Sequence, residues 1–574
     1  MSELSQKVLL ILALSYSMLL FQFSLCQVSA ITCIKKEQEA LLQLKKSFND
    51  PSHVLASWNE STNCCNWTGV SCNQITRHVT NIHLQGNQVN SFDDRVLFSN
   101  SIHSSLFELK YLVSLDLSWN HFNYSQIPDW FGMLNNLKFL NLENCYLSGR
   151  IPSLLGNLSN LEYLDVSDNS LMGEVPTTSF GRFLNLKVLD ISDNLFNGFL
   201  EEAHFANLSQ LHTLSIGYNE FLSLDVKSNW VPPFQLKSLD ASSCFGCFRS
   251  EFPRWLQTQK RLVSLVLSNM SISSGIPKWL NGQNLTTLDL SHNQIVGPIP
   301  NNIGYQMPNL EDLFLSTNFI NGSLPLSLCK LKNLAYVDLS NNRLFGKVEG
   351  CLLTSKLHLL DLSLNEFSGS FPHSRENDLS NVEQLNLRSN SFEGSMPVVL
   401  KNSKILEFID LEGNKFSGNI PTWVGDNLKN LQFLRLRDNQ LNGTIPSNLC
   451  NLKNLQILDL AYNQLEGTIP HNLSNFKVMM GNRRNEVSLV CKYRFPQLCY
   501  DDENASQSPE IENQDQEDDK WEKWLLYLMI MFGYGVGFWG GAVVLILKKN
   551  WRCAYFKFID EIKDKIIHAA MKWR

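Results

Sequence analysis

Apolar residues recur along most of the chain in a short phrase of alternating pattern, L-x-L-x-x-N. Examples are the LDLSWN that ends at Asn120, the LDISDN that ends at Asn194 and the LDLSHN that ends at Asn293. About sixteen such phrases run from Asn87 to Asn463, with a period of about 23–26 residues. The alternation predicts one short strand per phrase, and the constant period predicts that these strands stack side by side as a repeat array.

The residue types of the phrase have physical reasons. The two leucines of L-x-L point to one side of a strand, so they can stack on the leucines of neighbouring repeats. The amide of the asparagine both donates and accepts hydrogen bonds, so it can satisfy backbone groups where the chain leaves the strand. Cys145 and Cys244 stand in its place in two repeats, where a small buried thiol is a tolerable substitute.

Many repeats continue as G-x-I-P, as in residues 149–152, 297–300 and 418–421. Glycine permits a turn there, and proline fixes the chain direction. With this continuation the sequence resembles the plant-type leucine-rich repeat. The predicted fold is an α/β solenoid, a curved leucine-rich-repeat array over residues 81–476 with a parallel sheet on its concave face.

A stack of apolar repeats needs covered ends. Residues 31–80 form the predicted cysteine-rich N-terminal cap, in which residues 37–48 have helical apolar spacing and Trp58 can cover the first repeat. Its string SWNESTNCCNWTGVSCN resembles the N-terminal cap of plant leucine-rich-repeat receptors. Residues 477–500 are the predicted C-terminal cap or its remnant.

Eight cysteines are disulfide candidates: Cys33, Cys64, Cys65, Cys72, Cys329, Cys351, Cys491 and Cys499. The four in the N-terminal cap permit three pairings, of which we favour Cys33 with Cys64 and Cys65 with Cys72. Cys329 and Cys351 are one repeat apart and could tie neighbouring coils, and Cys491 and Cys499 could close the C-terminal cap. The remaining Cys450 is predicted to be free or to reach Cys491.

The two ends of the chain carry membrane signals. Residues 1–30 read as a secretory signal peptide, with Lys7 before an apolar run and a small-x-small pattern at residues 28–30. Residues 524–547 contain no charged residue and are long enough for a transmembrane helix. A secretory signal followed by one such helix predicts a single-pass protein of the plasma membrane, with its N-terminus outside.

Charge agrees with this orientation. The acidic juxtamembrane segment, residues 501–523, precedes the helix, and the short basic tail, residues 548–574, follows it with eight Lys or Arg and three Asp or Glu. Positive residues favour the cytoplasmic side. The tail is too short to form a kinase domain with a core. Gly533, Gly537 and Gly541 recur on one face of the helix and are predicted to let a partner helix approach closely.

Candidate modification sites all precede that helix. The N-x-S/T sequons are at Asn59, Asn66, Asn123, Asn157, Asn207, Asn269, Asn284, Asn321, Asn442, Asn472 and Asn504. They are consistent with a glycosylated exterior, although the repeated string NLS generates some of them by itself.

Candidate ligand-binding residues are those that depart from the repeat phrase on the predicted concave face. They are Trp119, Glu143, Tyr218, Phe314, Arg388, Glu412, Arg435, Arg437 and Tyr462. Aromatic residues and arginine are the types enriched at binding hot spots. Arg388, Glu412, Arg435 and Arg437 come from three consecutive repeats and are predicted to form a charged patch.

Other function classes find little support. The formal net charge of −7 is unlike the basic stripe of a nucleic-acid-binding protein. The histidines are scattered, and neither a nucleophile motif such as G-x-S-x-G nor a zinc-type cysteine–histidine cluster is present. We therefore predict a binding protein that is not an enzyme and needs no cofactor.

From its N-terminal cap to about residue 475, the chain resembles plant leucine-rich-repeat receptor-like proteins of the immune type, which lack a kinase. NWVPPFQLKSLDASSCF at residues 229–245 and the membrane stretch GYGVGFWGG are typical of the group that contains the fungal-xylanase receptors and the Cf-type resistance proteins. The resemblance implies perception of an extracellular protein or peptide. It also implies two partners, a receptor kinase that pairs through the membrane helix and a coreceptor kinase.

The sequence departs from that family in one place. The non-repeat island and the closing repeats of the family are missing before the acidic segment, and in the family those repeats are thought to meet the coreceptor. Two alternatives to a signalling immune receptor therefore stay open: a truncated decoy that binds without signalling, and a developmental peptide co-receptor.

Overall fold

The computed structural model describes residues 33–86, 97–244, 251–280, 284–372 and 379–470. The chain divides into two units, Met1–Asn482 and Arg483–Arg574, and everything below concerns the first. No helix within the described residues is long and apolar enough to cross a bilayer. The predicted signal peptide, juxtamembrane segment, membrane helix with its three glycines, and basic tail lie outside the described residues, as do Cys491, Cys499, Asn472 and Asn504.

Short strands dominate the described chain. In chain order they are β1 Val70–Cys72, β2 Val79–His83, β3 Ser114–Asp116, β4 Phe139–Asn141, β5 Ser148–Gly149, β6 Tyr163–Asp165, β7 Ser170–Glu174, β8 Val188–Asp190, β9 Leu195–Leu200, β10 Thr213–Ser215, β11 Phe221–Leu224, β12 Ser238–Asp240, β13 Ser264–Val266, β14 Thr287–Asp289, β15 Val296–Pro298, β16 Asp312–Phe314, β17 Phe319–Gly322, β18 Tyr336–Asp338, β19 Arg343–Gly346, β20 Leu359–Asp361, β21 Glu366–Ser370, β22 Gln384–Asn386, β23 Ser391–Gly394, β24 Phe408–Asp410, β25 Lys415–Asn419, β26 Phe433–Arg435, β27 Gln440–Thr444, β28 Ile457–Asp459 and β29 Gln464–Glu466.

The helices are few and short after the first. The α-helices are α1 Lys35–Ser47, α2 Thr177–Phe180, α3 Glu202–Phe205, α4 Ile303–Gln306 and α5 Trp423–Asn427. The 3-10 helices are Val54–Ser57, Cys64–Asn66, Ser104–Glu108, Asp129–Met133, Ser153–Asn157, Arg254–Thr258, Lys278–Leu280, Leu326–Lys330, Gly350–Leu352, Val398–Asn402 and Ser447–Asn451.

Seventeen of the strands form one long sheet. Its first pair, β1 with β2, is antiparallel, and every later pair is parallel, from β2 with β3 to β26 with β28. Equivalent residues of neighbouring repeats pair in register, as Leu115 does with Leu140 and Leu140 with Leu164. The prediction of a curved solenoid with parallel strands is confirmed, and its outward-facing strand surface is here called the concave face.

Two further sheets run along one flank of the described solenoid. Segments that follow most of the repeat phrases, several of them reaching into G-x-I-P, form a four-stranded sheet of β5, β7, β9 and β11 and an eight-stranded one from β15 to β29. The sequence analysis interprets these segments only as turns. The glycines within them adopt the left-handed conformation, as Gly173 does at φ 87° and Gly198 at φ 84°, which explains why glycine stands at that position.

The interior is a continuous column of apolar side chains. Leucines of the strand phrases, such as Leu115, Leu140 and Leu313, have no exposed surface. Phenylalanines stack along the same column, where the rings of Phe367 and Phe392 are 6.1 Å apart. Because each strand supplies only three residues, burial of its leucines depends on the repeats on both sides.

The N-terminal cap closes one end of this column. Helix α1 begins two residues before the predicted span and buries Ala40, Leu41 and Leu44. Trp58 is 1% exposed and stacks on Trp67 at 5.3 Å, as expected for a cover over the first repeat. The fold therefore begins with an aromatic lid over its apolar interior.

The disulfides hold the cap and one pair of coils, and Cys244 is also disulfide-bonded, so the expectation of a buried thiol at that position is wrong. Cys33 is bonded to Cys64 and Cys65 to Cys72, which are the pairs favoured from the sequence. Cys329 is bonded to Cys351 in the next repeat. Cys450 carries a free, half-buried thiol.

A ladder of asparagine side chains links each repeat to the previous one. The Asn342 amide donates to the carbonyl oxygens of Leu315, Leu339 and Ser340 at 2.9, 3.2 and 3.0 Å, and its oxygen accepts from the Ile320 N–H at 3.0 Å. At Cys145 the thiol contacts the Leu117 oxygen at 3.1 Å, the position that an asparagine amide would occupy. These bonds pair backbone groups that would otherwise be buried without a partner.

Candidate ligand-binding surface

Recurring polar residues on the concave face form hydrogen bonds within the chain rather than with a ligand. The carboxylate of Asp116 accepts the backbone N–H of Ser118 at 3.0 Å and its hydroxyl at 2.7 Å. Asp361 and Ser363 repeat the arrangement at 2.9 and 2.6 Å. The frequent D-x-S of the repeat phrase is therefore a turn device, so departures from it are the better candidates for binding.

The residue directly before each ladder asparagine has a left-handed backbone, which the sequence analysis does not anticipate. Trp119 has φ 60°, Tyr218 φ 53°, Leu364 φ 54° and Tyr462 φ 54°. The same conformation recurs in repeat after repeat, both at asparagine, aspartate and glycine, which favour it, and at bulkier residues, which do not. The turn lifts this side chain away from the strand, and Tyr462 is 72% exposed.

The structure brings together the four charged residues that the sequence places in one patch. Glu412 lies between two arginines, with 3.6 Å from its carboxylate to Arg388 Nε and 4.0 Å to Arg437 Nε. Arg437 also reaches Asp459 at 3.6 Å and lies over the Tyr462 ring at 4.4 Å. We call Arg388, Glu412, Arg435, Arg437 and Tyr462 the charged patch.

Arg435, the fourth charged residue of the patch, contacts a buried carboxyl group. Arg435 lies 3.8 Å from the carboxylate of Asp410, a residue that is 2% exposed. Burial raises the pKa of Asp410 to about 6, against the opposing effects of the Glu412 N–H and the Arg435 charge. The Arg435 guanidinium therefore lies beside a buried carboxyl group at the base of the patch.

Two aromatic residues extend the patch, and the sequence analysis misses them. Phe408 and Phe433 pair across β24 and β26, with ring centroids 5.7 Å apart, two residues before Asp410 and Arg435. Both are half-buried on the concave face. This pair could have been predicted from the sequence, because aromatic residues occupy the same position of the repeat phrase in two adjacent repeats. The patch therefore offers both charge signs beside a flat apolar surface.

At the other end of the described solenoid, a second pair of candidates is in contact. Trp119 lies beside Glu143, where its indole N–H favours the charged form of the carboxylate. Burial and then the negative charge of Asp165 raise the pKa of Glu143 above its ordinary value. Tyr163, which sequence analysis also misses, stacks on Phe139 at 4.3 Å and donates to Asp165 at 3.0 Å.

The two remaining candidates lie apart from both groups. Tyr218 is 54% exposed, and burial of its inner part together with the charge of Asp240 raises its pKa. Phe314 is half-buried on β16, where it pairs with Asp289 on one side and Asp338 on the other. The nine candidates thus form two clusters and two single positions.

Nine of the sequon asparagines fall in the described residues. Those with exposed side chains are Asn66, Asn123, Asn157, Asn207, Asn284, Asn321 and Asn442, whereas Asn59 and Asn269 are half-buried. Asn321 and Asn442 lie in the flank strands β17 and β27, and Asn269 follows a strand of the long sheet. Most acceptors are thus accessible to glycosylation.

The cysteine sulfurs of the cap form the one tight group of potential metal ligands among the described residues, and all four are in disulfides. A sulfur in a disulfide has no thiolate to offer a metal.

Known leucine-rich-repeat families match most of the same chain. The leucine-rich-repeat N-terminal domain family matches residues 34–73. The leucine-rich-repeat region family matches residues 99–275, and two other leucine-rich-repeat families match residues 283–344 and residues 406–427, 430–452 and 454–476.

Similar proteins come from plants. The chain is 36% identical over 383 residues to the receptor-like protein EIX2 of Solanum lycopersicum and 37% identical over 397 residues to the receptor-like protein EIX1 of the same species. These alignments cover 64% and 60% of this chain. The chain spans 34% of the length of each relative.

Two solved structures of receptors are similar to this chain. That of the Arabidopsis thaliana membrane receptor kinase GASSHO1/SCHENGEN3, in complex with CASPARIAN STRIP INTEGRITY FACTOR 2, has a TM-score of 0.55 at 30% identity, covering 76% of this chain and 60% of its own. A TDR receptor has a TM-score of 0.50 at 26% identity, covering 66% and 72%. The chain therefore belongs to the leucine-rich-repeat proteins, and the resemblance to plant receptor-like proteins that its cap and repeats predict is confirmed.

Proposed function

We propose that this chain is a plant cell-surface receptor-like protein that binds an extracellular peptide or protein at the charged patch and signals in defence. The observation that carries the proposal is the convergence of side chains from consecutive repeats on the concave face: Arg388, Glu412, Arg435, Arg437 and Tyr462. Arginine and tyrosine in a partly desolvated cluster are typical of binding hot spots.

The remaining parts of the proposal follow from the sequence and from the similar proteins. A secretory signal and a single membrane helix would place the solenoid outside the plasma membrane. Signalling would then pass through a receptor kinase that pairs with the membrane helix at Gly533, Gly537 and Gly541. A coreceptor kinase would complete the complex, and no cofactor is required.

A direct test uses the full-length chain produced in leaf tissue. Culture filtrates of fungi and bacteria are fractionated, and each fraction is scored for an oxidative burst that depends on this chain. In an Arg435→Glu/Arg437→Glu variant, the concentration of an active fraction needed for half of the response should rise by about tenfold or more, since the reversed charges would repel the groups that the arginines bind.

The matched control reverses two exposed lysines of a neighbouring repeat, Lys401→Glu/Lys404→Glu, which lie at the end of a 3-10 helix away from the concave face. Its response should equal that of the wild type. Equal responses from the wild type and both variants would show that the charged patch does not bind the ligand.

A second candidate function is a developmental peptide co-receptor. It is favoured by the structural similarity to a receptor kinase ectodomain solved with a peptide. Purified plant peptides tested beside the microbial fractions separate the two functions, because only one class should give a response that Arg435→Glu/Arg437→Glu weakens.

Co-precipitation with membrane kinases separates both receptors from a decoy. A receptor should bring down a kinase, and a variant with Gly533, Gly537 and Gly541 changed to leucine should lose it, because the larger side chains keep the two helices apart. A decoy would bind the active fraction, but no kinase would co-precipitate with either the wild type or the glycine variant.

A further inference from the structure

Three clefts open one after another along the flank of the described solenoid, beside the sheet of β5, β7, β9 and β11. They have volumes of about 480, 570 and 680 Å³. The first and second share Arg150 and Ile151, and the second and third share Glu201. They therefore form one continuous channel, here called the flank groove, which is distinct from the concave face and its charged patch.

The floor of the flank groove repeats from coil to coil. An apolar residue followed by proline lines it at residues 127–128, 151–152, 175–176 and 252–253. Ile151 is 4% and Val175 4% exposed, so the floor is firm and apolar. Proline has no N–H to donate. A bound chain would therefore be recognised mainly through its side chains.

Side chains of one repeat lie flat over the glycine of the next and shape the wall. A Cβ added at Gly173 would come within 3.0 Å of Arg150 Nε, and one at Gly198 within 2.8 Å of Glu174 Cγ. Met172 and Phe199 stand in the same channel and are 45% and 62% exposed. Large apolar side chains exposed in a line are unusual on a surface that contacts only water.

Charge on the groove is unbalanced. The carboxylates that line it are Asp129, Glu174, Glu201, Glu202, Asp225 and Glu251. The bases that line it are Arg150, Lys227 and Arg254. The lining is thus acidic and apolar at once, which favours an occupant that is basic and apolar at once.

None of the nine sequon asparagines in the described residues lines the three clefts. Six successive levels of the flank, from Gln126 to Glu251, contribute to the groove. At a strand spacing of about 4.8 Å, this gives a channel about 24 Å long, enough for about seven residues of extended chain.

We propose that the flank groove docks an extended segment of a partner protein in which lysine or arginine alternates with apolar residues. The apolar side chains enter between coils beside Met172 and Phe199, and the basic ones pair with the carboxylates on the rim. This surface is independent of the proposed ligand site, so either can fail without the other.

The test uses the full-length purified chain and a ten-residue peptide of alternating lysine and photo-leucine, with cross-links located by mass spectrometry. Cross-links should map to the residues that line the groove. A peptide of alternating glutamate and photo-leucine should give about one tenth of the yield or less, because its charges repel those of the rim. Equal yields from the two peptides, or cross-links confined to other surfaces, would overturn the proposal.

One variant reverses the balance of charge along the groove. Asp129→Lys/Glu174→Lys/Glu251→Lys changes one exposed acid in each cleft. It should lower the cross-linking yield by about tenfold. The matched control, Glu366→Lys/Glu393→Lys/Glu466→Lys, makes the same change of net charge on the eight-stranded flank sheet and should stay within about twofold of the wild type.

A second variant tests the apolar part and covers the case in which the triple variant does not fold. Phe199→Ser removes an exposed ring inside the groove, and Phe345→Ser removes one that is 50% exposed on the other flank sheet. The first should lower the yield by about fivefold, and the second should leave it unchanged. The same yield from both variants would show that the groove does not bind the peptide.

Discussion

At the residue scale, the side-chain amides of the asparagine ladder stabilise the fold by bonding backbone groups of neighbouring repeats. Asn342→Ala would leave the N–H of Ile320 without its side-chain acceptor and would remove one of the two amide donors on each of the carbonyl oxygens of Leu315 and Leu339. We expect a loss of unfolding free energy of about 2–3 kcal/mol. Thermal unfolding of the full-length chain measures it, with Lys332→Ala in the same repeat as the neutral control.

A substitution of the residue before the ladder asparagine is expected to stabilise the fold instead of destabilising it. Leu364 has φ 54°, which costs a branched side chain about 1 kcal/mol that asparagine largely avoids. Leu364→Asn should therefore raise the unfolding temperature. Leu326→Asn, at a residue that is 70% exposed at the start of a 3-10 helix, should not raise it. A lower unfolding temperature for Leu364→Asn would show that its side chain makes contacts that outweigh the backbone cost.

These two positions also show what the sequence can and cannot predict. The role of the asparagine follows from its hydrogen-bonding groups, which are the same in every repeat. The left-handed turn before it is imposed by the stacking of coils, and Trp119, Leu364 and Tyr462 adopt it although none of them favours it. Local preference is overridden there by tertiary packing, and no sequence rule marks it.

At the element scale, the disulfide between Cys329 and Cys351 joins neighbouring coils that are 22 residues apart in the chain. Closing a loop of this length restricts the unfolded chain by about 3 kcal/mol in the chain-entropy description. Cys329→Ser/Cys351→Ser should lower the unfolding free energy by about that amount. A wild-type unfolding temperature in this variant would show that the repeats alone fix the two coils.

Acidic side chains of neighbouring strands couple stability to pH. Burial, then the charge of Asp338, raises the pKa of Asp361 to about 7, and burial raises that of Asp190 to about 6. The folded chain thus binds protons that the unfolded chain releases near its ordinary pKa of about 4. This stabilisation is complete below about pH 4 and is lost as pH rises through 6 to 7.

The measurement is the unfolding temperature between pH 4.5 and pH 8. It should fall as pH rises, and Asp361→Asn should make the fall shallower because one of the buried carboxyls no longer ionises. Asp438→Asn, which changes an exposed carboxyl, is the control. An unchanged slope in Asp361→Asn would contradict the coupling.

The repeat phrase predicts the strands of the long sheet well, because its leucines must be buried on one side and its period fixes the register. It does not predict the flank sheets. Their strands, such as β7 and β9, contain glycine and few buried residues, Leu171 in β7 and Phe196 and Leu200 in β9. These strands pair because stacking of the coils places equivalent segments at the spacing of neighbouring strands in a sheet. The sequence of a single segment does not predict this pairing.

At the scale of the whole molecule, constant register explains why the charged patch could be predicted. Residues about 24 apart become neighbours in every coil, so Arg388, Glu412 and Arg437 fall on adjacent strands. The flank groove is not predictable in the same way, since it depends on exposed side chains that fold over neighbouring glycines. Binding surfaces built from strand positions are therefore readable from sequence, whereas those built from connecting segments need the structure.

The account depends on the charged patch being outside the cell and open to a ligand, and one labelling experiment measures both. A full-length Tyr462→Cys variant, made with Cys450→Ser to remove the free half-buried thiol, is treated on intact leaf cells with a membrane-impermeant maleimide. The account predicts rapid labelling of this protein, and slower labelling when an active fraction is added. Labelling that appears only after the cells are permeabilised would contradict it.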